Sequence, residues 1–176
     1  MKIEETFIEG AFLIESKKYE DKRGFFMETW NDKQFALPRF VQDNFTYSRK
    51  NVLRGLHYQI GPNTQGKLVR CSKGSVYDVI VDIRKHSASF GNWFGRKLDQ
   101  PEIQLWVPAG LAHGFYTLSE TAEFNYKVTD YYDPESERTL LWNDPELNIK
   151  WPLQGNPILS KKDSSEAKLF SVCTKL

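Results

Sequence analysis

Alternation of apolar and polar residues recurs along this chain and predicts an all-β protein. The longest alternating run covers residues 75–84. One face of this predicted strand is wholly apolar and should point to a core: Tyr77, Val79, Val81 and Ile83. The other face mixes apolar residues with two acids and an arginine: Val76, Asp78, Ile80, Asp82 and Arg84. We expect this mixed face either to be solvated or to line a polar cavity.

Shorter strand-like runs are separated by Gly, Pro, Asn and Asp at short spacing, which is typical of antiparallel sandwiches and barrels. Further strands are predicted at residues 12–15, 24–30, 40–46, 68–71, 91–98, 104–107, 124–132 and 140–142. The polar segment 19–23 is predicted to be a turn, and residues 31–35 a short helix. From residue 143 the pattern is that of a loop, and the tail after about residue 163 is predicted to be loop or short helix. No internal repeat or linker interrupts residues 1–176, so we predict a single domain.

The composition is that of an ordinary globular protein, with 40% hydrophobic and 27% charged residues among 176. A formal net charge of +1 is not the excess of positive charge that is typical of proteins that bind nucleic acid or an anionic membrane. No apolar run approaches the roughly 18 residues that span a bilayer, and Met1–Glu5 holds two acids and no apolar signal core. Cys71 and Cys173 are too few and too far apart for a disulfide framework or a metal knuckle. We therefore expect a cytoplasmic enzyme or binding protein without nucleic-acid or membrane partners.

Two of the three histidines lie beside glycine and aromatic residues, where an imidazole base poised near neutral pH can meet a ligand. His57 lies in the sequence RGLHYQ of residues 54–59, and His113 lies in PAGLAHGF of residues 108–115. His86 follows the long predicted strand in a polar turn and is expected to be solvated. A structural histidine bonded to a backbone carbonyl is the simpler alternative for His57, although the arginine, glutamine and lysine near it in sequence weaken that alternative.

Residues 108–113 resemble the second half of the cupin signature, Pro-x-Gly-x-x-His, which belongs to a double-stranded β-helix barrel that often binds a metal. The first half of that signature supplies a His-x-His pair and a glutamate, whereas Tyr58 and Gln59 follow His57 here. Two separated histidines without an adjacent acid form a weak site for zinc or iron. We therefore predict no bound metal.

A longer series of motifs is similar to the nucleotide-sugar epimerases of the dTDP-4-dehydrorhamnose 3,5-epimerase family. The series comprises RGLHYQ at 54–59, QGKLVR at 65–70, VxVDIR at 79–84, QLWVP at 104–108, AHGF at 112–115, YK at 126–127, WND at 142–144 and LSxKD at 159–163. The resemblance extends from about residue 10 to residue 163. It implies a cupin-type double-stranded β-helix, a jelly-roll barrel with short peripheral helices. It also implies a homodimer without metal or other cofactor that acts on a dTDP-linked 4-keto-6-deoxy sugar.

The resemblance implies catalytic roles that fit the chemistry of inverting a carbon beside a ketone. His57 would be the base, with Asp163 hydrogen-bonded to it, and Tyr126 would donate a proton on the opposite face of the sugar. Lys67 would offset the negative charge that develops on the keto oxygen. From the residues alone, Tyr126 would be a packing tyrosine in a strand, Asp163 a surface loop acid and Lys67 a solvated lysine.

Substrate contacts are implied in the same way. Arg23, Phe26 and Glu28 match a segment that reaches the nucleotide across the dimer interface, and Arg54 suits a diphosphate because a guanidinium binds phosphate oxygens bidentately. Tyr132 matches an aromatic residue that stacks on the thymine ring. The remaining matched positions are Gln42, Asp43, Asn44, Gln59, Lys67, His113, Glu137 and Lys162. Solvated polar side chains and plain aromatic packing are the simpler alternatives for these positions.

The implied activity is inversion of C3 and C5 of dTDP-4-dehydro-6-deoxy-D-glucose through an enolate, in dTDP-L-rhamnose and hence polysaccharide biosynthesis. Phe45 stands where a more polar residue is common, and Arg138 stands where a glycine is usual. These departures leave the exact sugar open. The alternatives are a relative that inverts one carbon or acts as a 3,4-ketoisomerase and, more remotely, a metal-dependent cupin oxygenase or a sugar-binding module.

Overall fold

The computed structural model describes residues 2–173, and nearly every regular element in that range is a β-strand. In chain order the strands are β1 (Lys2–Glu5), β2 (Phe12–Glu15), β3 (Lys18–Asp21), β4 (Gly24–Met27), β5 (Gln42–Arg49), β6 (Leu53–Gln59), β7 (Lys67–Lys73), β8 (Val76–Asp82), β9 (Trp93–Leu98), β10 (Ile103–Val107), β11 (Leu111–Thr117), β12 (Thr121–Val128) and β13 (Glu137–Thr139). A 3-10 turn covers Gly61–Asn63, and a short helix, α1, covers Phe170–Cys173. None of the helices among residues 2–173 has the length and apolar character that crossing a membrane requires.

The strands form two antiparallel sheets that face each other, together with the separate hairpin β3–β4. The six-stranded sheet has the order β1-β2-β10-β7-β12-β5, and the five-stranded sheet has the order β13-β6-β11-β8-β9. Buried apolar side chains from both sheets fill the space between them, including Leu13, Val69, Leu105, Phe124, Val76, Ile80 and Phe115. This two-sheet barrel confirms the all-β jelly-roll prediction.

A second apolar cluster lies on the outer face of the five-stranded sheet. We call residues 143–173 the C-terminal segment, and its Leu147 and Phe170 pack against Val79 and Val81 of β8 in this cluster. The opposite face of β8 points into the barrel. Both faces of the longest predicted strand are therefore buried, and its mixed face lines the barrel interior instead of contacting solvent.

The prediction of a turn at residues 19–23 was wrong. Strands β3 and β4 pair from Lys18 and Met27 to Asp21 and Gly24, and only the two residues between the strands turn. Most side chains of this hairpin are exposed. Because neither face is buried, the sequence shows no alternation that would reveal the strand.

The prediction of a helix at residues 31–35 was also wrong, since this stretch forms a turn. The Oδ1 atom of Asn31 accepts a hydrogen bond from the backbone N–H of Lys33 at 3.0 Å. The backbone N–H of Phe35 reaches the Asn31 carbonyl at 3.3 Å. The Asn31 bond is of the N-cap type and starts a turn, but Pro38 follows three residues after Phe35 and disfavours helical backbone at the residue before it, which limits the segment to a single turn.

Two sheet edges differ from the prediction as well. The strand expected at residues 140–142 lies three residues earlier as β13, and Leu140 makes only an isolated bridge to Lys168. Strand β1 was not predicted, because all four of its residues are exposed and its sequence has no apolar face.

Candidate active site

A cleft of about 410 Å³ opens between the two sheets at one end of the barrel. Its size is in the range of small-molecule sites. Many of the residues predicted to bind or transform substrate line this cleft: Gln42, Asn44, Arg54, His57, Gln59, Lys67, His113, Tyr126, Tyr132, Glu137 and Lys162. The sequence motifs that contain them, far apart along the chain, therefore meet at one place in the fold.

His57 projects into the cleft from β6 and contacts Asp163, which belongs to the C-terminal segment. The Nε2 atom of His57 lies 2.5 Å from Oδ1 of Asp163. The other carboxylate oxygen accepts a hydrogen bond from the Ser160 hydroxyl at 2.8 Å, and the Asp163 backbone N–H donates to the same hydroxyl oxygen at 3.1 Å. Two residues separated by 106 positions in sequence thus form one hydrogen-bonded pair.

The electrostatics of this pair favour a neutral imidazole beside an ionised carboxylate. Burial lowers the pKa of His57, although the bond to Asp163 opposes this shift, and the positive charges of Lys162 and Lys67 lower the pKa further. Burial tends to raise the pKa of Asp163, but the hydrogen bonds from His57 and Ser160 outweigh it and lower the pKa. If Nε2 donates its proton to the carboxylate, Nδ1 is left as the basic nitrogen.

Tyr126 stands on the opposite wall of the cleft from His57. It belongs to β12 of the six-stranded sheet, where it pairs with Asn44 of β5 and Val69 of β7. Burial raises the pKa of the Tyr126 phenol, while the positive charge of Arg54 opposes the shift. The phenol is therefore protonated at neutral pH and can act as a proton donor.

Lys67 is the first residue of β7 and is buried at the inner end of the cleft. Its Nζ atom donates to the backbone carbonyl of His57 at 3.3 Å. Burial lowers the pKa of Lys67 to about 8, although the negative charges of Glu137 and Asp78 oppose the shift. A lysine in this position can place a positive charge where oxygen charge develops.

His113 forms a second histidine–carboxylate pair in the same cleft. Its Nε2 atom lies 2.9 and 3.1 Å from the two carboxylate oxygens of Asp78, which is fully buried on the mixed face of β8. Burial raises the pKa of Asp78, while His113 and Lys67 oppose the shift. Sequence reasoning placed Asp78 on a face that was either solvated or lined a polar cavity, but did not identify it as a partner of His113.

Glycines allow the two histidine strands to approach each other. His57 and His113 are directly opposite each other in the pairing of β6 with β11. A Cβ atom on Gly114 would lie 2.5 Å from the carbonyl oxygen of Arg54, and one on Gly55 would lie 2.6 Å from the Cα of Gly114. Gly55 also has φ of +122°, a conformation that other residues rarely adopt. The glycines next to both histidine motifs therefore have a packing role.

Polar side chains connect the mouth of the cleft. Glu137 accepts a hydrogen bond from the Tyr132 hydroxyl at 3.0 Å and pairs with Lys162 at 2.7 Å. The backbone N–H of Tyr132 donates to Gln42 at 3.3 Å, and the Gln42 amide donates to Asn44 at 2.8 Å. This chain of contacts joins the edges of both sheets to the C-terminal segment.

Four of the residues predicted to contact substrate lie elsewhere. Asp43 is on the outer face of β5, where its carboxylate pairs with Lys127 at 2.6 Å. Arg23 is at the exposed tip of the β3–β4 hairpin, and Phe26 and Glu28 line a separate groove beside that hairpin. Strict alternation explains Asp43, because its neighbours Gln42 and Asn44 face the cleft.

Sequence reasoning missed several residues that line the cleft: Thr46, Tyr58, Gln65, Gly114, Phe115 and Phe124. Alternation along β5 could have identified Thr46, because it shares a face with Gln42 and Asn44. No group of three or more His, Cys, Asp and Glu side chains suited to holding a metal occurs in residues 2–173.

Comparisons with known proteins agree along nearly the full chain. The sequence model of the dTDP-4-dehydrorhamnose 3,5-epimerase family matches residues 5–171. The chain is 52% identical to the dTDP-4-dehydrorhamnose 3,5-epimerase of Salmonella typhimurium over 166 residues, which cover 91% of each protein. It is 51% identical to that of Pseudomonas aeruginosa over 177 aligned residues, which cover 97% of each protein.

Solved structures lead to the same group. A dTDP-6-deoxy-D-glucose-3,5-epimerase of Legionella pneumophila, in complex with dTDP-4-keto-L-rhamnose, superposes with a TM-score of 0.93 at 50% identity, covering 97% of this chain and 93% of that chain. A 3'-monoepimerase of Streptomyces bikiniensis, in complex with dTDP-quinovose, superposes with a TM-score of 0.88 at 31% identity, covering 97% and 88%. The chain belongs to the dTDP-4-dehydrorhamnose 3,5-epimerase family and is an isomerase.

Proposed function

We propose that this protein inverts C3 and C5 of dTDP-4-dehydro-6-deoxy-D-glucose and so produces dTDP-4-dehydro-L-rhamnose. The observation that carries the proposal is the placement of a carboxylate-bound imidazole and a phenol on opposite walls of one cleft. Inversion requires a proton to leave one face of the sugar ring and another to arrive on the opposite face. The similarity to the Legionella enzyme that binds dTDP-4-keto-L-rhamnose supports the choice of substrate.

In the proposed reaction the neutral His57 imidazole removes a proton from the carbon next to the C4 ketone. The electrons of that C–H bond form the carbon–carbon double bond of an enolate, and negative charge develops on the C4 oxygen. The ammonium group of Lys67 offsets this charge, and the carboxylate of Asp163 stabilises the imidazolium that has formed. Tyr126 then delivers its phenolic proton to the opposite face of the carbon.

The cycle closes when the phenolate regains a proton and the imidazolium loses one to solvent. The same sequence repeats at the second carbon, which is also adjacent to the ketone. The lowered pKa of His57 supports the role of base, because the imidazole is neutral at physiological pH. The raised pKa of Tyr126 keeps the phenol protonated until the enolate is present.

The charged, aromatic and amide side chains of the cleft support a binding role for each part of the substrate. Arg54 and Lys162 supply positive charge for the diphosphate, and Tyr132 supplies an aromatic ring for the thymine base. Gln42 and Asn44 offer amide groups toward the nucleotide and sugar. His113 and Glu137 complete this set of contacts, whereas the outward Asp43 is proposed to act only through its strand.

We propose further that two copies associate and that the hairpin residues Arg23, Phe26 and Glu28 reach the cleft of the second copy. The aromatic surface of the molecule supports an interface, since Phe26 is 68% exposed on the hairpin and Phe45 is 61% exposed on the outer face of edge strand β5. Sedimentation should give twice the chain mass, and Arg23→Ala should weaken dTDP binding without altering folding. A cytoplasmic location is part of the same proposal, in line with the free thiols of both cysteines.

The decisive experiment is NMR of the reaction in heavy water with dTDP-4-dehydro-6-deoxy-D-glucose as substrate. The wild-type protein should incorporate deuterium at C3 and C5, and His57→Asn should incorporate it at neither position. His86→Asn is the matched control, because His86 is an exposed turn residue outside the cleft. Tyr126→Phe should reduce turnover more than it reduces exchange, because it affects reprotonation. Absence of deuterium at both carbons with the wild-type protein would contradict the proposal.

The second candidate is a single-carbon epimerase, and the similarity to the Streptomyces bikiniensis 3'-monoepimerase favours it over the others. Deuterium at C3 alone in the same spectra would establish that alternative. A ketoisomerase would instead move the carbonyl along the ring and shift its carbon resonance. Metal analysis of the purified protein tests the remote oxygenase alternative, for which about one iron per chain is expected.

A further inference from the structure

Gln59 is the last residue of β6, and its side-chain amide forms hydrogen bonds within the protein. The residue is 6% exposed although it borders the cleft. Its Nε2 atom donates to the carbonyl of Asn63 at 2.5 Å and to the carbonyl of Tyr131 at 3.2 Å. Its Oε1 atom accepts from the backbone N–H of Asp133 at 2.9 Å. A primary amide has two N–H donors, so both donors of Gln59 are used within the protein.

Two of these bonds enclose one residue of the substrate cleft. Tyr131 and Asp133 are the neighbours of Tyr132 in the loop of residues 129–136, which joins β12 to β13 and which we call the mouth loop. The Gln59 amide therefore binds one peptide group on each side of Tyr132. Fixing both peptide groups restricts the backbone dihedral angles of Tyr132 and hence the direction of its ring.

Other contacts also hold the mouth loop. The backbone N–H of Tyr132 donates to Gln42, and its hydroxyl donates to Glu137. Asn63 donates to the Asp133 carboxylate at 2.7 Å, and the Ser136 hydroxyl also contacts that carboxylate. Arg138 donates to the carbonyls of Glu135 and Glu137 at 2.7 and 2.8 Å. Gln59 differs from these contacts because its one side chain binds the peptide groups on both sides of Tyr132.

We propose that Gln59 is a positioning residue that sets the place of Tyr132 at the mouth of the cleft and thereby controls nucleotide affinity. It acts through the mouth loop and does not contact the sugar. This role rests on the proposed function, in which Tyr132 supplies the surface for the thymine base. The proton transfers that His57 and Tyr126 make with the sugar, deeper in the cleft, do not depend on Gln59.

The test combines dTDP binding by calorimetry with steady-state kinetics for three single variants. Gln59→Met keeps the length of the side chain and removes all three bonds, so it should weaken dTDP binding and raise KM by about tenfold while kcat changes less than about twofold. Gln59→Glu keeps the oxygen that accepts from Asp133 but loses both donors, and it serves as the second variant if the methionine variant folds poorly. Glu135→Gln, at an exposed position of the same loop, is the matched control and should bind dTDP as the wild-type protein does.

A double-mutant cycle separates positioning from direct contact. In a Tyr132→Ala background the ring is absent, so adding Gln59→Met should cause no further loss of dTDP affinity. Additive losses would overturn the proposal in favour of a direct bond between Gln59 and the nucleotide. Unchanged dTDP affinity of the single Gln59→Met variant would overturn it as well.

Hydrogen exchange without any nucleotide makes this test independent of the reaction. The amide of Asp133 should exchange at least about tenfold faster in Gln59→Met than in the wild-type protein, because its acceptor is gone. If the wild-type protein fails to take up deuterium from heavy water into the sugar, the proposed function fails while this exchange result still stands. If exchange at Asp133 is unchanged, the positioning role fails whatever the enzyme catalyses.

Discussion

Two histidine–carboxylate pairs lie side by side on paired strands, yet they are built in different ways. His57 receives its carboxylate from the C-terminal segment, and that carboxylate has a lowered pKa because hydrogen bonds outweigh burial. His113 receives its carboxylate from the adjacent strand β8, and burial raises the pKa of that acid. The His57–Asp163 pair is suited to stabilising the positive charge that the imidazole acquires during reaction. The His113–Asp78 pair is suited to holding the imidazole ring of His113 in place.

The comparison predicts the largest loss for Asp163→Asn. The amide cannot stabilise an imidazolium as a carboxylate does, so turnover should fall on the order of 10²- to 10³-fold. Deuterium uptake at both carbons should fall in parallel, because abstraction itself is impaired. Asp99→Asn is the control, since Asp99 pairs with Lys97 outside the cleft and its loss should leave turnover unchanged. A loss below about tenfold for Asp163→Asn would show that the carboxylate charge is not needed.

Asp78→Asn should have a smaller effect. Its amide oxygen still accepts the Nε2–H of His113, so turnover should fall by only about three- to tenfold. Because burial raises the pKa of Asp78, its ionised form opposes folding above the unfolded pKa, and the variant should keep or raise the Tm at pH 8. Product NMR and thermal unfolding measure the two effects. A loss equal to that of Asp163→Asn would mean that both pairs hold reaction charge.

The same contrast shows what the sequence could and could not reveal. No strand was predicted at residues 53–59 or 111–117, where β6 carries His57 and β11 carries His113, because both strands are mostly buried on both faces and show no clear alternation. Alternation did predict the strand that carries Tyr126. It also predicted the mixed face on which Asp78 lies. No local pattern links residue 57 to residue 163, and their contact followed only from family resemblance, because the C-terminal segment has no periodicity that reveals where it docks.

Exposed elements escaped prediction for a related physical reason. Strands β1 and β3 are exposed on nearly all side chains, so their sequences show no buried face, whereas β4 lies within the strand predicted at residues 24–30. The family match placed Asp43 with its neighbours Gln42 and Asn44, whereas the strand geometry turns its side chain outward to Lys127. Short motifs identify a strand that forms the site, and the alternation of that strand decides which of its residues face the substrate.

The docking of the C-terminal segment can be weakened to affect one pair and not the other. Phe170→Ala removes a buried ring that packs against Phe90 at a centroid distance of 5.4 Å. It should lower the free energy of unfolding by about 3–5 kcal/mol and lower turnover by a few-fold, because the segment that holds Asp163 is loosened. Val172→Ala, at a half-exposed position of α1, is the control for the helix itself. Urea unfolding and kinetics at 25 °C provide both measurements. Unchanged turnover would show that catalysis does not require tight docking of the C-terminal segment.

The smallest expected effect concerns the pH dependence of stability. Burial lowers the pKa of His57 below its unfolded value of about 6.5, so between these two values the unfolded chain binds more protons than the folded one. Stability therefore rises with pH through this window and is lost as the pH falls below about 6.5. The Tm of the wild-type protein should fall between pH 7 and pH 5 by a few degrees more than that of His57→Asn.

Asp163 does not contribute to the pH dependence of stability between pH 5 and pH 7. Its lowered pKa affects stability only as the pH falls below the unfolded carboxyl value of about 3.9. The control is His86→Asn, which removes an exposed histidine and should reproduce the wild-type slope. Parallel Tm curves for wild type and His57→Asn would mean that the fold does not disfavour the charged imidazole. The neutral base assigned to the first pair would then have to arise from substrate binding, and the distinction between the two pairs would rest on the location of their carboxylates alone.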